Sequence, residues 1–297
     1  MNYEEKLLEL MSLDTRLFVL TSENRGPVVS VAERFPDRFC DVGICEQTMV
    51  GIAAGMSKFC GLITIVHAMA SFLTMRAYEF IRTDIGIHRL PVKIVGSSPG
   101  IYSEFNGPTH QAIEDVALMH TIPSMNIFVP ADMNELVLGM EKIISSEEPW
   151  YIRYNNFKGE NGHTDFQIGK AEVIGIGDEV AILTYGAMFE NSLKLLNLLS
   201  DHGIFGKVLN MRCLSPIDEN AIVTAAIECG RLVVIEDHFK FGGLYTLISE
   251  ILIKNKIVAS VDSFCFLDYF KAGSATDIIS YYGLSYKKIF EAIYGDV

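Results

Sequence analysis

The sequence predicts an α/β protein with two domains, each built on a mostly parallel sheet that helices cover. Short apolar runs alternate with segments of helical periodicity almost throughout the 297 residues, which is typical of strands buried on both faces. One polar stretch, NNFKGENGHTDFQIG (155–169), contains three glycines, shows no periodicity and is typical of a linker. We therefore expect a first domain over residues 1–158 and a second over residues 168–297.

The expected elements follow from this alternation. The strands are LFVL (17–20), LITIV (62–66), VKIV (92–95), NIFV (126–129), WYIRY (150–154), VAILT (180–184), KVLNM (207–211), RLVVIE (231–236) and VDSF (261–264). The helical segments are 47–59, 71–85, 111–120, 132–145, 188–201, 217–228, 242–254 and 285–294. Because ligand sites of parallel sheets form at the carboxyl ends of strands, we expect polar residues from separate loops to meet at one edge.

Composition argues against several classes of function. The net charge is −13 with no block rich in Lys or Arg, so nucleic acids and anionic membranes are not expected partners. The longest apolar run, GLITIVHAMASFLTM, is interrupted by His67 and is too short to span a bilayer. Acidic residues within Met1–Leu20 argue against a secretory signal. Six cysteines show no CxxC pair, so we expect reduced, mostly buried thiols and a cytoplasmic protein.

One carboxylate stands out in the segment DVGICEQTMVGIAAG (41–55), where Glu46 lies among small and aliphatic residues. Burying an ionised carboxylate without a partner is costly. Glu46 is therefore either a residue at a helix start that faces solvent, favoured by the helix dipole, or a carboxyl group that shares a proton with a bound ligand. The local pattern alone leaves both interpretations open.

Two further segments carry candidate residues. In SSPGIYSEFNGPTHQAIED (97–115), Gly107 and Pro108 predict a turn, and Thr109 is expected to cap a helix that starts near His110. His110 is either a loop histidine or an imidazole that serves acid–base chemistry near neutral pH. In MASFLTMRAYEFIRTDI (69–85), Phe72 is either a core residue or a platform for a cofactor.

Taken in order, these motifs closely resemble the pyrimidine-binding half and the carboxy-terminal domain of transketolases. The resemblance rests on RFPDRFCDVGICEQTMVGIAAGMSKFCG, RAYEFIRTDI, LPVKIVGS, NGPTHQAIEDVALMHTIPSMNIFVPAD and YIRY in the first part. It continues in IGKAEVIGIGDEVAILTYG, VLNMRCLSPIDENAI, VVIEDHFKFGGL and YYGLSYKKIFEAI. It covers nearly the whole chain and implies a thiamine diphosphate-dependent transferase that moves a two-carbon ketol unit between a ketose and an aldose.

The resemblance also implies roles for particular residues. Glu46 would exchange a proton with the aminopyrimidine ring of thiamine diphosphate, Phe72 would stack on that ring, and His110 would face the substrate. The predicted cofactor-binding residues are Ile44, Glu46, Met69, Phe72 and Arg76. The predicted substrate-binding residues are Arg25, His67, Ser98, Asn106 and Arg153. Arg153 matches a position that holds the phosphate end of the substrate, for which a guanidinium is well suited. His238 is expected to lie at the domain junction, with no catalytic role.

The chain lacks a GDG motif followed by an Asn, the pattern that the family uses to bind diphosphate and Mg²⁺. We therefore expect a split enzyme, inactive alone, with no metal ligand in this chain. A second subunit would carry the diphosphate and magnesium domain, in a heterotetramer with two copies of each chain that also associates through this one.

Departures from the family pattern concern the substrate. Ser98 replaces a histidine, Asn106 replaces an aspartate, and the usual phosphate contact near the amino terminus is missing, with Arg25 as a substitute cation. The resemblance therefore implies an unusual sugar substrate.

Three alternatives stay open: the β-subunit of a 2-oxoacid dehydrogenase E1 component, a relative of deoxyxylulose-phosphate synthase, and a noncatalytic binding module.

Overall fold

The computed structural model describes residues 1–159 and 162–295. Glu160 and Asn161 of the predicted linker, and Asp296 and Val297 at the end of the predicted second domain, lie outside the described residues. The strands are β1 (Leu17–Thr21), β2 (Phe39–Asp41), β3 (Ile63–Met69), β4 (Lys93–Ser97), β5 (Asn126–Phe128), β6 (Trp150–Tyr154), β7 (Glu172–Ile174), β8 (Val180–Thr184), β9 (Gly206–Asn210), β10 (Cys213–Ser215), β11 (Arg231–Phe239) and β12 (Ser260–Phe266).

Helices cover both sheets. They are α1 (Tyr3–Leu13), α2 (Val29–Arg34), α3 (Glu46–Cys60), α4 (Tyr78–Phe80), α5 (Asp115–His120), α6 (Met133–Ile144), α7 (Met188–Asp201), α8 (Glu219–Cys229), α9 (Leu244–Asn255), α10 (Ala275–Tyr281) and α11 (Tyr286–Tyr294). Helix α4 is flanked by the π-helical turns Phe72–Arg76 and Ile81–Gly86. Three short 3₁₀ turns span Gly26–Val28, Pro36–Arg38 and Glu104–Asn106. No helix in the described ranges is long and apolar enough to cross a membrane.

The first sheet has the order β10-β5-β6-β4-β3-β1-β2, and all of its pairs are parallel except β10 with β5. The second sheet has the order β12-β11-β8-β9-β7, with only β7 antiparallel. The predicted fold class, two mostly parallel sheets covered by helices, is confirmed. Strand β10 follows the second domain's β9 yet pairs with the first sheet, so the two domains share backbone hydrogen bonds as well as side-chain contacts.

The register of the first sheet aligns the ends of its central strands. Met69 at the end of β3 lies opposite Ser97 at the end of β4, and Ser97 lies opposite Tyr154 at the end of β6. Thr21 at the end of β1 lies opposite His67. The loops that follow β1, β3, β4 and β6 therefore leave the sheet at one edge, as the sequence predicted.

Helix α3 positions the start of the site. Its buried face carries Met49, Val50, Ala53 and Ala54 against the sheet, and the helix ends at Gly61, whose φ of 68° is favourable for glycine. The small residues on this face let the helix lie close to β3, which fixes the height of its first turn above the strand ends.

Two expectations about local structure were wrong. The helix predicted to start near His110 begins at Asp115, because residues 108–110 form a turn and Ala112 pairs with Gly100 in an isolated bridge. The cysteines are free, as expected, but they are not mostly buried. Cys40 and Cys60 are exposed, and Cys213 is the one cysteine classed as buried.

Candidate active site

Glu46 is the first residue of α3, and only 2% of its surface is exposed. The loop before it is held by Ser22, which follows β1. The Ser22 hydroxyl donates to the Gly43 carbonyl at 2.6 Å and accepts from the Cys45 N–H at 3.0 Å. This bridge ties the end of β1 to the start of α3. The solvent-facing interpretation of Glu46 is excluded by its burial.

Within the described residues, the carboxylate of Glu46 has one side-chain partner, Arg76. The Arg76 Nη1 donates to Glu46 Oε2 at 2.9 Å. The same guanidinium lies over the Phe72 ring, with its central carbon 4.2 Å from the ring centroid. The ring of His110 meets Phe72 edge-on, at a centroid distance of 5.2 Å. Four predicted residues from three separate segments are therefore in contact.

The contacts of Arg76 indicate which kind of ligand Glu46 and Phe72 can bind. Its guanidinium is a flat cation with N–H groups, and it stacks on an aromatic face while donating to a buried carboxylate. An aminopyrimidine is also a flat ring with an N–H donor and a nitrogen that can be protonated. Glu46 and Phe72 therefore have the chemistry that the pyrimidine end of thiamine diphosphate requires, and the cofactor-binding role of Arg76 stays a prediction.

His110 belongs to the turn after the 3₁₀ segment Glu104–Asn106. Its backbone N–H donates to the Gly107 carbonyl at 3.0 Å, and its Nδ1 lies 2.9 Å from the Thr109 hydroxyl. Thr109 therefore orients the imidazole instead of capping a helix. His110 is partly exposed and leaves Nε2 directed away from this pair. The ring is placed to exchange hydrogen bonds with a ligand that lies beside Phe72.

A cleft of about 640 Å³ opens at the same edge of the sheet. It lies between the loops that follow β1, β4 and β6. Its lining is formed by Glu23, Asn24, Arg25, Gly26, Pro27, Ser97, Ser98, Tyr102, Glu104, Tyr154, Asn155, Asn156 and Phe157. Two predicted substrate residues, Arg25 and Ser98, line this cleft. Asn106 is exposed on the turn that also carries Glu104, but it is not part of the lining.

The remaining predicted cofactor residues lie near Glu46. Ile44 is two residues before it and is 69% exposed. Met69 ends β3, three residues before Phe72, and is partly buried. The cofactor roles of Ile44 and Met69 stay predictions.

The predicted phosphate contact of Arg153 needs correction. Arg153 is 3% exposed, its Nε donates to Asp115 Oδ2 at 2.9 Å, and its Nη1 donates to Asp237 Oδ1 at 2.8 Å. Burial alone would lower the pKa of Arg153, but the two carboxylates raise it well above its ordinary value. Because Asp237 comes from β11, Arg153 links the two domains and does not face the cleft.

His67, a predicted substrate contact, is buried away from the cleft. His67 is 1% exposed, and its Nε2 lies 3.0 Å from the Tyr3 hydroxyl. Burial lowers the pKa of His67 to about 3, so the imidazole is neutral. It lies inside the first sheet's layer and is not part of the cleft lining.

Sequence reasoning missed the buried Glu236 of the second domain but anticipated His238 at the domain junction. The Glu236 carboxylate accepts from the N–H groups of Leu244 and Tyr245 at the start of α9, and burial raises its pKa to about 7. His238 donates from Nδ1 to the Phe239 carbonyl at 2.7 Å and accepts at Nε2 from the Ala117 N–H at 3.3 Å. His238 therefore bridges the domains, as its position at the junction suggested.

A second polar network joins the linker to both domains. His163 Nδ1 lies 2.7 Å from Glu172 Oε2, and Arg212 Nε lies 2.7 Å from Glu135 Oε1. Burial would lower the pKa of His163, but hydrogen bonds to Asp132 and Glu172 raise it to about 10. Glu135, His163 and Glu172 are close enough together to hold a metal ion. Two cations, Arg212 and protonated His163, already neutralise these carboxylates, so the network serves the domain interface.

Two domain families match the chain, one in each part. The family model described as the pyrimidine binding domain of transketolase matches residues 1–158, and the model of the transketolase C-terminal domain matches residues 169–289.

Two curated relatives and one solved structure are similar over most of the chain. The 6-deoxy-6-sulfo-D-fructose transketolase subunit SqwH of Clostridium sp. (strain MSTE9) is 33% identical over 85% of this chain and 80% of its own length. An apulose-4-phosphate transketolase subunit of Phocaeicola vulgatus is 31% identical over 95% of this chain and 92% of its own. A split-gene transketolase, solved as an inactive beta4 tetramer, has a TM-score of 0.89 and 32% identity, covering 98% of this chain and 95% of its own.

Proposed function

The chain belongs to the transketolase family, and we propose that it is one subunit of a two-component, thiamine diphosphate-dependent transketolase. The enzyme would transfer a two-carbon ketol unit from a ketose to an aldose. This chain would supply the pyrimidine-binding and carboxy-terminal domains. The domain boundaries that we propose, 1–158 and 168–297, leave the linker between them.

The observation that carries this proposal is the buried carboxylate of Glu46 beside the face of Phe72. A carboxyl group in such a setting can hold a proton at a ring nitrogen and take it back, because water does not compete for it. Thiamine diphosphate, when bound, supplies a carbon nucleophile that accepts the ketol unit. Glu46 sets the protonation of the pyrimidine, Phe72 packs against it, and Ile44 and Met69 border it.

His110 and the cleft act on the substrate side. The imidazole beside Phe72 would donate to or accept from the sugar oxygens next to the reacting carbon. Arg25, Ser98 and Asn106 would contact the more distant part of the sugar. Both curated relatives are named for unusual sugars, which supports an unusual sugar here too.

The partner subunit completes the site. We propose that it carries the diphosphate-binding domain and holds most of the ligands of a magnesium ion, in a heterotetramer with two copies of each chain. The similarity to a split-gene transketolase that is inactive as a beta4 tetramer supports the need for a partner. The six free cysteines are in keeping with a cytoplasmic enzyme.

The first experiment is native co-purification from the source cells, followed by mass spectrometry and a thiamine diphosphate assay. We expect a second chain in equal amount, with bound cofactor. The complex should then transfer a two-carbon unit from hydroxypyruvate to an aldose. Glu46→Gln should abolish this transfer while partner capture is unchanged, and Glu250→Gln, an equal change of charge on the exposed face of α9, should leave both intact.

Two outcomes would overturn the proposal. A complex that reductively acylates a lipoyl acceptor from a 2-oxoacid would identify a 2-oxoacid dehydrogenase subunit, an alternative that the transketolase relatives do not favour. A homodimer without cofactor or partner would indicate a noncatalytic binding module.

A further inference from the structure

The cleft opens at the edge of the sheet where β1, β3, β4 and β6 end. Its walls come from the loops after β1, β4 and β6, and β3, which leads to Phe72, lies between β1 and β4. Ser22 joins the β1 loop directly to the residues before Glu46. A sugar whose carbonyl carbon is beside Phe72 and His110 would therefore extend its other end into this cleft.

The backbone around the cleft is unusual. Five non-glycine residues of the described chain have positive φ, and three of them, Glu23, Ser98 and Glu104, line this cleft. Such residues cost free energy and are retained where the surrounding structure holds them in place, often at binding sites. Their concentration here indicates that the surrounding structure fixes the backbone of this cleft.

The charge of the lining is negative. Among the described residues that line it, the cleft contains two carboxylates, Glu23 and Glu104, and one cation, Arg25. The Nε of Arg25 donates to the carboxylate of Asp41, which also accepts from the Gly43 N–H at 3.0 Å. The positive charge of Arg25 is therefore already paired with Asp41, which is not part of the cleft lining. The other polar groups are neutral amides and hydroxyls, including Asn24, whose Nδ2 donates to Ser97 at 2.6 Å.

Arg153 does not change this balance. It lies one residue before Tyr154 of the lining, but its guanidinium is committed to Asp115 and Asp237. Its Nη2 also donates to the Ala112 carbonyl at 3.4 Å. A phosphate could reach Arg153 only by displacing buried carboxylates.

From these observations, and resting on the proposed function, we propose that the cleft binds the hydroxyl-bearing end of an uncharged sugar and disfavours a phosphate or sulfonate at that end. Carboxylates and amides pair well with sugar hydroxyls, which both donate and accept hydrogen bonds. A terminal phosphate is instead best held by unpaired arginine or lysine side chains. Glu23 acts as the specificity residue, because one oxygen of Glu104 already accepts from the Ala275 N–H at 3.0 Å.

The test uses the complex of this chain with its partner, loaded with thiamine diphosphate and Mg²⁺. Hydroxypyruvate serves as donor, since it loses its carboxyl group as CO₂, passes its remaining two carbons to an aldehyde and brings no distal end into the cleft. The acceptors are the matched pair D-erythrose and D-erythrose 4-phosphate. We expect kcat/KM to be about tenfold or more higher for D-erythrose, a ratio that corresponds to the repulsion of one charge in a partly solvated site.

Variants assign the preference to the cleft. Glu23→Gln should raise the relative use of D-erythrose 4-phosphate by about threefold to tenfold, the scale of one charge interaction at partial exposure. Glu250→Gln removes the same charge from α9 of the second domain and should leave the ratio unchanged.

The outcomes separate this inference from the proposed function. Transfer from hydroxypyruvate that favours the phosphorylated acceptor would overturn the inference and leave the transketolase assignment intact. A ratio that does not respond to Glu23→Gln would overturn the role given to the cleft's charge. No transfer from hydroxypyruvate to either acceptor would overturn the proposed function itself.

Discussion

The contact between Glu46 and Arg76 can be tested in the isolated chain, without partner or cofactor. Glu46 is 2% exposed, whereas the Arg76 side chain is 42% exposed and donates to it at 2.9 Å. Arg76→Met keeps an unbranched apolar stem over Phe72 but removes the charge. It leaves the carboxylate of Glu46 buried without its side-chain partner. We expect the free energy of unfolding to fall.

The size of the effect lies between two limits. Exposed ion pairs contribute about 0.2–1 kcal/mol, and breaking a fully buried pair costs about 3–5 kcal/mol. Because one partner is buried and the other is nearly half exposed, we expect a coupling free energy of about 1–2 kcal/mol, which is well below the unscreened attraction. In a chain of this size that corresponds to a fall in Tm of about 2–3 °C.

A double-mutant cycle isolates this coupling. The four proteins are the wild type, Arg76→Met, Glu46→Gln and the double variant, and each is unfolded by denaturant and by heat. The double variant should be destabilised less than the sum of the single variants. Additive effects, with a coupling near zero, would refute the view that Arg76 neutralises the buried carboxylate.

The same variant tests Arg76 as a stand-in for the pyrimidine. Its guanidinium occupies the face of Phe72 and one oxygen of Glu46, so a cofactor ring must displace it from at least one contact. If that displacement costs about 1–2 kcal/mol, Arg76→Met should bind thiamine diphosphate about 5- to 30-fold more tightly in the complex. Weaker binding, measured by calorimetry, would show that Arg76 holds the cofactor directly.

The remaining predictions concern the buried networks between the domains. Arg153→Met leaves Asp115 and Asp237 buried without their cation, so we expect a loss of about 3–5 kcal/mol in unfolding free energy; a loss below 1 kcal/mol would restore Arg153 as a mobile substrate contact. The pKa of His163 is raised to about 10 in the folded state from its ordinary value of 6.5. Protonated His163 therefore contributes fully to the free energy of unfolding below about pH 6.5, and this contribution is lost as pH rises towards 10. His163→Asn should flatten the pH dependence of unfolding between these values, and an unchanged profile would contradict the assigned charge.

The sequence predicted the central strands because each is a continuous apolar run buried on both faces. Strands β2 and β7 escaped because they are three residues long and only partly buried, with no apolar run to mark them. Helix α1 was also missed, although Asn2 and Glu5 form a reciprocal capping pair that the sequence displays three residues apart. That signal could have been used.

Some features of the candidate site could likewise be predicted from the sequence, and others could not. The local pattern left the burial of Glu46 open, and the family resemblance together with the rule that strand ends share an edge pointed to Glu46, Phe72 and His110 as neighbours. The partners of Arg153 could not be found in this way, because Asp115 and Asp237 are 38 and 84 residues away along the chain. Whether an arginine faces a ligand or a pair of carboxylates depends on such distant residues, so a motif match alone could not show that Arg153 pairs with Asp115 and Asp237.

The position of Ile44 argues that the site is incomplete in a single chain. Its large aliphatic side chain is 69% exposed, two residues from the buried carboxylate of Glu46. Phe105, on the turn before His110, is 73% exposed on the same side of the sheet edge. Exposed apolar groups beside a polar cluster mark surfaces that another molecule covers. A partner that covers Ile44 and Phe105 would also keep water from the start of α3, where the proposed proton exchange between Glu46 and the cofactor would take place.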